Sequence, residues 1–249
     1  MRLKICVSDR CFFPKSTFMS SKVIIKLAKS LGYEQVEFHP TWAVWWETLR
    51  RGKLSCQPEE ISSFHISWRE DGQHDGLNSF QVFFNPDYRV FPFEFLGTKA
   101  LQKLEKKYQK PVVIHWQEDF AKFNSPLLEL HGPLGMNWQQ IEVAIKRERI
   151  KGIVIDTGKF EGWRKLTGEK ENRVLPNLFP YIGEVHFRMG YVGGKEKESV
   201  RIMKKLVKMG YQGRVVVEMG WPDPDSIEVL RQEGLEKVHQ RIVKFLKNL

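Results

Sequence analysis

Neither a disulfide frame nor a membrane span can be built from this 249-residue sequence. Its three cysteines, Cys6, Cys11 and Cys56, are odd in number and form no CxxC pair. They read as reduced structural thiols of a cytoplasmic protein. No run approaches the roughly 18 apolar residues of a membrane-crossing helix. The opening MRLKICVSDR is too short and too polar for a signal peptide. No low-complexity stretch or linker divides the chain, so the expectation is one domain over residues 1–249.

What the chain does have is 41% apolar and 12% aromatic residues, enough for a sizeable core. Forty Lys and Arg against thirty Asp and Glu give a net charge of +10, compatible with an acidic partner such as nucleic acid or a phosphorylated metabolite. Much of the excess lies in segments such as KESVRIMKKLVKMG (197–210). There Val200, Met203, Leu206 and Val207 form one helical stripe while Lys204, Lys205 and Lys208 point away, as on any packed helix.

Short β-rich runs alternate with helix-period runs along the whole chain. Strands are expected near 2–7, 34–38, 61–68, 111–116, 126–130, 151–156, 182–187 and 213–218. Residues 21–31 repeat Val23, Ile24, Leu27, Ala28 and Leu31 and stop at Gly32. Residues 137–150 open on an Asn137–Gln140 capping pair, and 225–248 form a long closing helix. Eight strands in βα alternation predict a (β/α)8 TIM barrel, at about 31 residues per unit. Helix 4 must be short, since about ten residues separate PVVIHW from PLLEL; EDFAKF (118–123) is the candidate. The spare length goes into a long connection after strand 3 (69–96), rich in Phe and a candidate lid.

In such a barrel the chemistry lies at the C-terminal strand ends. Those ends carry Glu37 with His39, His65, His115, Glu129, Asp156, His186 and Glu218. One buried polar residue can be a satisfied core group. A ring of carboxylates in a low-dielectric mouth repels itself unless a cation joins it, so a metal accounts for the whole set.

With LGYEQVEFHP, SFHISW, VVIHW, PLLELHG, GIVIDTGKF, EVHFRMG and VVVEMG in this order, the chain resembles the xylose-isomerase-like barrels, a superfamily of sugar isomerases and epimerases that includes the apurinic-site endonucleases. The resemblance implies one divalent metal (Mn²⁺, Mg²⁺, Co²⁺ or Zn²⁺) on Glu129, Asp156, His186 and Glu218. It implies that Glu129 and Glu218 are the acid/base pair. They would transfer a proton through a metal-stabilised enediolate of a sugar, sugar acid or sugar phosphate.

Two departures stand out. The family commonly writes the strand-6 motif as Asp-x-x-His, and here the last residue is Lys159. A protonated lysine has no lone pair for a metal but can meet an anionic oxygen. On strand 7 the basic residue is kept as Arg188, but the aspartate that often follows is Met189. Lys159 and Arg188 would make one wall of the pocket positive and favour an acidic or phosphorylated sugar.

A rival reading is a two-metal phosphodiesterase resembling the apurinic-site endonucleases, with His65, His115 and Glu129 on the second ion and nucleic acid as substrate. Against it, the third-metal ligands of that branch are absent. A third reading is a ligand-binding barrel without catalysis. Glu37 and His39 are candidates for substrate hydroxyls. Trp42, Trp45 and Trp46 fall at helical spacing, where they either pack or offer a platform to a sugar ring, Trp46 being the substrate-contact candidate. Barrels of this group often pair, which leaves a homo-oligomer open.

Overall fold

Apolar runs rich in valine and isoleucine, separated by amphipathic helices, fold here as parallel strands shielded on their outer faces. The computed structural model describes residues 2–12, 19–39, 42–66, 69–70, 73–74, 93–115, 120–131, 134–189, 195–219 and 234–249. At 42–43, 45, 49, 69–70, 73–74, 93–97, 189, 195–196 and 219 the backbone alone is described. The barrel strands are β1 (Lys4–Ser8), β2 (Gln35–Phe38), β3 (Ile61–His65), β4 (Val112–Ile114), β5 (Pro126–Leu130), β6 (Gly152–Asp156), β7 (Ile182–Met189) and β8 (Arg214–Met219). Each pairs in parallel with its sequence neighbours, and β1 closes on β8 with Ile5 opposite Val215 and Val7 opposite Val217.

The helices are α1 (Ser21–Ser30), α2 (Trp42–Arg51), α3 (Phe93–Tyr108), α4 (Trp138–Lys146), α5 (Phe160–Leu166), α6 (Glu171–Leu178), α7 (Lys195–Lys208) and α8 (Leu235–Lys247). Both α5 and α6 lie between β6 and β7. The expected helix 4 contracts further: the described part of that connection, 120–125, is turn and bend, and 116–119 lie outside the described residues. In the long connection after β3, Arg69–Glu70 and Gln73–His74 pair as a short antiparallel ladder. Residues 71–72 and 75–92, most of the expected lid, fall outside the described residues, and 93–96 open a helix. The closing helix begins at Leu235, with 220–233 also outside. Among the described residues no helix is long and apolar enough to cross a membrane.

Local signals end the elements where the sequence placed them. Gly32 takes φ +91°, a left-handed stop after α1 that a side chain would strain. Asn137 and Gln140 form a reciprocal capping box at the start of α4.

Strand alternation divides the core in two. Ile5, Val7, Phe38, Leu128, Ile155, Phe187 and Val217 join the large cluster shared with the helices. Each such burial contributes about 2 kcal/mol, an upper figure relative to an extended chain. Facing inward, Val113, Leu127 and Val154 form a separate small apolar cluster. The opposite inner wall is polar, and that asymmetry positions the site.

Candidate metal centre and active site

Glu129, fully buried on β5, lies at the middle of the ring. Its Oε2 accepts hydrogen bonds from His65 Nε2 at 3.0 Å and His115 Nε2 at 3.2 Å. Its Oε1 accepts from Lys159 Nζ at 2.5 Å. Burial works against ionisation of this carboxyl, but Lys159 and the imidazoles outweigh it and hold Glu129 well below the usual carboxylate range. Burial likewise works against charge on Lys159, and Glu129 and Asp156 overcome it, so the ammonium is held. The Lys159 side chain keeps 27% exposure, so it reaches from the buried ring to the open mouth.

On β7, Glu184, His186 and Arg188 alternate with the outward Val185 and Phe187, which puts three charged or polar groups on one inner line. His186 Nε2 stands 3.2 Å from Glu184 Oε1 and 3.3 Å from Glu37 Oε2, two acceptors that fix a proton on that nitrogen. Its Nδ1 has no hydrogen-bond partner and lies 3.6 Å from both Glu129 Oε2 and Glu218 Oε2. Burial opposes protonation of His186, but Glu37, Glu184 and Glu218 raise it well above the ordinary histidine value.

Asp156 ends β6, and the turn after it explains the local sequence. Its Oδ1 accepts from the backbone N–H of Gly158 at 2.7 Å and of Lys159 at 3.1 Å. Arg188 Nη2 donates to Oδ2 at 2.5 Å and stands 3.3 Å from Glu218 Oε2. A Cβ on Gly158 would lie 2.8 Å from Arg188 Cγ, so this position lets the arginine pass. Thr157 pins the turn to β7, its hydroxyl 3.0 Å from the His186 carbonyl and 3.0 Å from the Arg188 N–H. Glu218 is pushed up by burial, but Arg188 and His186 hold it well below the usual range.

The sequence reading missed the groups beneath and beside this ring. Asp9, just past β1, accepts from His39 Nδ1 at 2.8 Å and from the His39 backbone N–H at 3.2 Å. Glu184 is fully buried, 3.0 Å from Ser63 Oγ and 3.1 Å from Arg214 Nε. His131 donates from Nε2 to the His115 carbonyl at 2.9 Å. Period-two spacing offered the signal for Glu184 and His131, each two residues from a site residue. Asp9 follows the same strand-end rule, but β1 runs one residue beyond its expected end at Val7.

The donor set fits a divalent cation. One ligand atom each from Asp156, His186 and Glu218 lie within 4.8 Å of one another, and the same holds for His65, Glu129 and His186. His186 Nδ1 and Glu218 Oε2 are buried without a hydrogen bond, an arrangement that an ion satisfies. A carboxylate oxygen carries two lone pairs, so Asp156 Oδ2 can hold Arg188 and a metal together.

Ten of the candidate residues thus meet in one place: Glu37, His39, His65, His115, Glu129, Asp156, Lys159, His186, Arg188 and Glu218. Trp46 does not; it is 49% exposed on α2, outside the buried ring. The side chains of Trp42, Trp45 and Met189 lie outside the described residues.

No family model matches the sequence, and no curated protein matches it. Solved structures do resemble the fold. The 3-keto-D-glucoside 4-epimerase YcjR from E. coli, in its apo form, matches with a TM-score of 0.52 and 13% identity, over 93% of this chain and 100% of that one. A sugar phosphate isomerase/epimerase from Parabacteroides distasonis gives a TM-score of 0.52 and 13% identity over 99% and 96% of the two chains. A xylose isomerase domain protein from Alicyclobacillus acidocaldarius gives 0.50 and 13% over 98% of each. At these identities the likeness establishes the fold alone, a closed (β/α)8 barrel.

Proposed function

We propose that this barrel, read as one domain over 1–249, is a divalent-metal-dependent isomerase or epimerase. Its substrate would be a sugar, sugar acid or sugar phosphate. The carrying observation is His186 Nδ1, buried without a hydrogen bond, 3.6 Å from a carboxylate oxygen of Glu129 and of Glu218. The folds it resembles include an epimerase of a 3-keto-glucoside and a sugar phosphate isomerase/epimerase, which supports the substrate class.

Glu129, Asp156, His186 and Glu218 would hold the metal, a donor set of three carboxylates and one imidazole suited to Mn²⁺, Mg²⁺, Co²⁺ or Zn²⁺. When bound, the ion supplies a Lewis acid that polarises a carbonyl and acidifies the neighbouring C–H. Both glutamates are kept ionised by their cationic neighbours. One ionised glutamate would take a proton from carbon and, as the acid so formed, give it back at the adjacent carbon. Return on the opposite face needs the other glutamate to take up a proton from solvent first. Glu184 and Glu37 hold a proton on His186 Nε2, so a cation binding at Nδ1 would displace the second proton of the ring and meet the lone pair left there. Lys159 and Arg188 face the mouth from one side and would receive an anionic group of the substrate.

A specific contact favours a second reading, a two-metal phosphodiesterase: His65 and His115 both converge on Glu129 Oε2. The test is solvent deuterium wash-in, followed by NMR, on a panel of ketoses and sugar acids with manganese-loaded protein. The expected result is label at the carbon beside the carbonyl, reduced about 10²–10⁴-fold in Glu218→Gln and Glu129→Gln. Cleavage of abasic-site DNA without wash-in would replace this reading with the hydrolase. Ligand binding without either reaction would leave a binding barrel.

A further inference from the structure

Beside the ring just described, on the β1–β2–β3 side of the barrel, lies a second constellation that the proposed reaction does not use. Glu37, His39, His65 and Glu218, all buried, each offer one ligand atom within 4.8 Å of the others. Three of them carry a buried atom with no hydrogen-bond partner: Glu37 Oε1, His39 Nε2 and Glu218 Oε2. Such atoms are rare in native proteins and each costs about 1–3 kcal/mol if nothing meets it.

The partners of these residues show how the orphans arise. His39 gives its Nδ1 to Asp9 Oδ1 at 2.8 Å, and the backbone N–H of His39 donates to Asp9 Oδ2 as well. The ring is therefore locked by a buried carboxylate, with its Nε2 lone pair turned away from Asp9. This carboxylate–imidazole pairing is the support that metal-bound histidines have. The His39 and His65 rings stack at 4.6 Å between centroids, which keeps the two imidazoles side by side. Glu37 uses Oε2 on His186 and Ser63, leaving Oε1 unused.

Charge points the same way. Asp9, Glu37, Glu129, Asp156, Glu184 and Glu218 are all buried in or beside the mouth. Against these six acidic groups stand three fixed cations, Lys159, Arg188 and Arg214. Lys159 is bound to Glu129, Arg188 to Asp156 and Arg214 to Glu184. Arg10 bears electrostatically on Asp9, and His186 and His65 on Glu37. Burial pushes Asp9 and Glu37 up towards the neutral form, while against burial their acidic neighbours raise His65 and His186. A divalent ion would replace those protons as the positive charge on that side.

We propose that Glu37, His39, His65 and Glu218 form a second divalent-cation site, with Asp9 positioning His39. Two imidazoles and two carboxylates select a first-row transition ion such as Zn²⁺ or Co²⁺ over Mg²⁺. Glu218 would be shared with the first site, giving a two-ion centre. This set differs from the pair of histidines on Glu129 discussed above. There Glu129 Oε2 is met by both imidazoles and Oε1 by Lys159, whereas here Glu37 Oε1, His39 Nε2 and Glu218 Oε2 are orphaned. His65, with Nδ1 on the Ile66 carbonyl, would turn its Nε2 from Glu129 to the ion. The inference does not depend on Asp156 holding a metal.

The test is anaerobic Co²⁺ titration of the chelator-stripped full chain, followed by visible absorption and calorimetry. Asp156 and His39 each belong to one site only, so their variants separate the two. Wild type is expected to take up two equivalents, and His39→Gln and Asp156→Asn one each. Asp9→Asn should keep two but weaken one of them about 10–100-fold. Circular dichroism and Glu37→Gln, which should also lose one equivalent, guard against a misfolded His39 variant. If folded His39→Gln and Glu37→Gln bind as many equivalents as wild type, the second site is overturned whatever Asp156→Asn does. If His39→Gln loses an equivalent and Asp156→Asn loses none, the second site stands and the metal assignment of the proposed isomerase fails instead.

Discussion

Lys159 is the residue that most separates this site from a plain ring of metal ligands, and its position explains what it does. From the turn after β6 it reaches Glu129 at 2.5 Å and Asp156 at 3.4 Å, so one ammonium serves two fully buried carboxylates. Removing one partner of such a pair leaves an uncompensated charge and is destabilising by about 3–5 kcal/mol. Lys159→Met should therefore lower the melting temperature in chelator, and manganese should restore more stability to it than to wild type. Equal metal-induced shifts in both proteins would show that Lys159 and the ion do not share the same carboxylates. The sequence made Lys159 legible as a departure from a pattern but not its partner. A side chain three residues past a strand can turn to the ring or to solvent, and only packing of the turn decides.

The strand–turn units tell a similar story of what sequence can carry. Alternation and apolar runs were enough to place all eight strands, because each strand buries both faces and its limits are set by the charged residues that end it. Most ring residues were legible for the same reason: His65, His115, Glu129, Asp156 and Glu218 are each the first ionisable group after a run without charge. Asp9 and Glu184 were not, since β1 ends one residue later than its apolar run and Glu184 sits inside β7 among apolar neighbours. The connection from β4 to β5 was read as a short helix, yet its described part is a turn. So few residues cannot offset helix nucleation when the span is so short. The turn Thr157–Gly158–Lys159 shows how tightly such a unit is built. Gly158→Ala would set a Cβ 2.8 Å from Arg188 Cγ and drive the guanidinium off Asp156. Such overpacking is expected to destabilise by about 1–3 kcal/mol. Under the proposed function it should also raise KM for anionic substrates more than for neutral ones. Thermal melting with paired kinetics checks both; unchanged KM values for the two classes would remove Arg188 from substrate recognition.

Across the whole barrel, charge is sorted by depth. The surface carries the excess that makes the net charge +10, while the mouth gathers buried acids in greater number than its fixed cations. Under the proposed function the outer positive field would draw anionic metabolites and the inner acids would hold a cation to receive them. Strand alternation supports this division by giving one inner wall to Val113, Leu127 and Val154 and the other to Glu37, Ser63, Glu184 and Arg214. The central claim is that the ring at the strand ends is a metal centre built around His186. It is tested most directly by anomalous diffraction from crystals grown with Mn²⁺. The account predicts a peak within bonding distance of His186 Nδ1, ringed by oxygens of Glu129, Asp156 and Glu218. Ordered side chains with no peak at His186, and Lys159 and Arg188 alone filling the space among the three carboxylates, would contradict it.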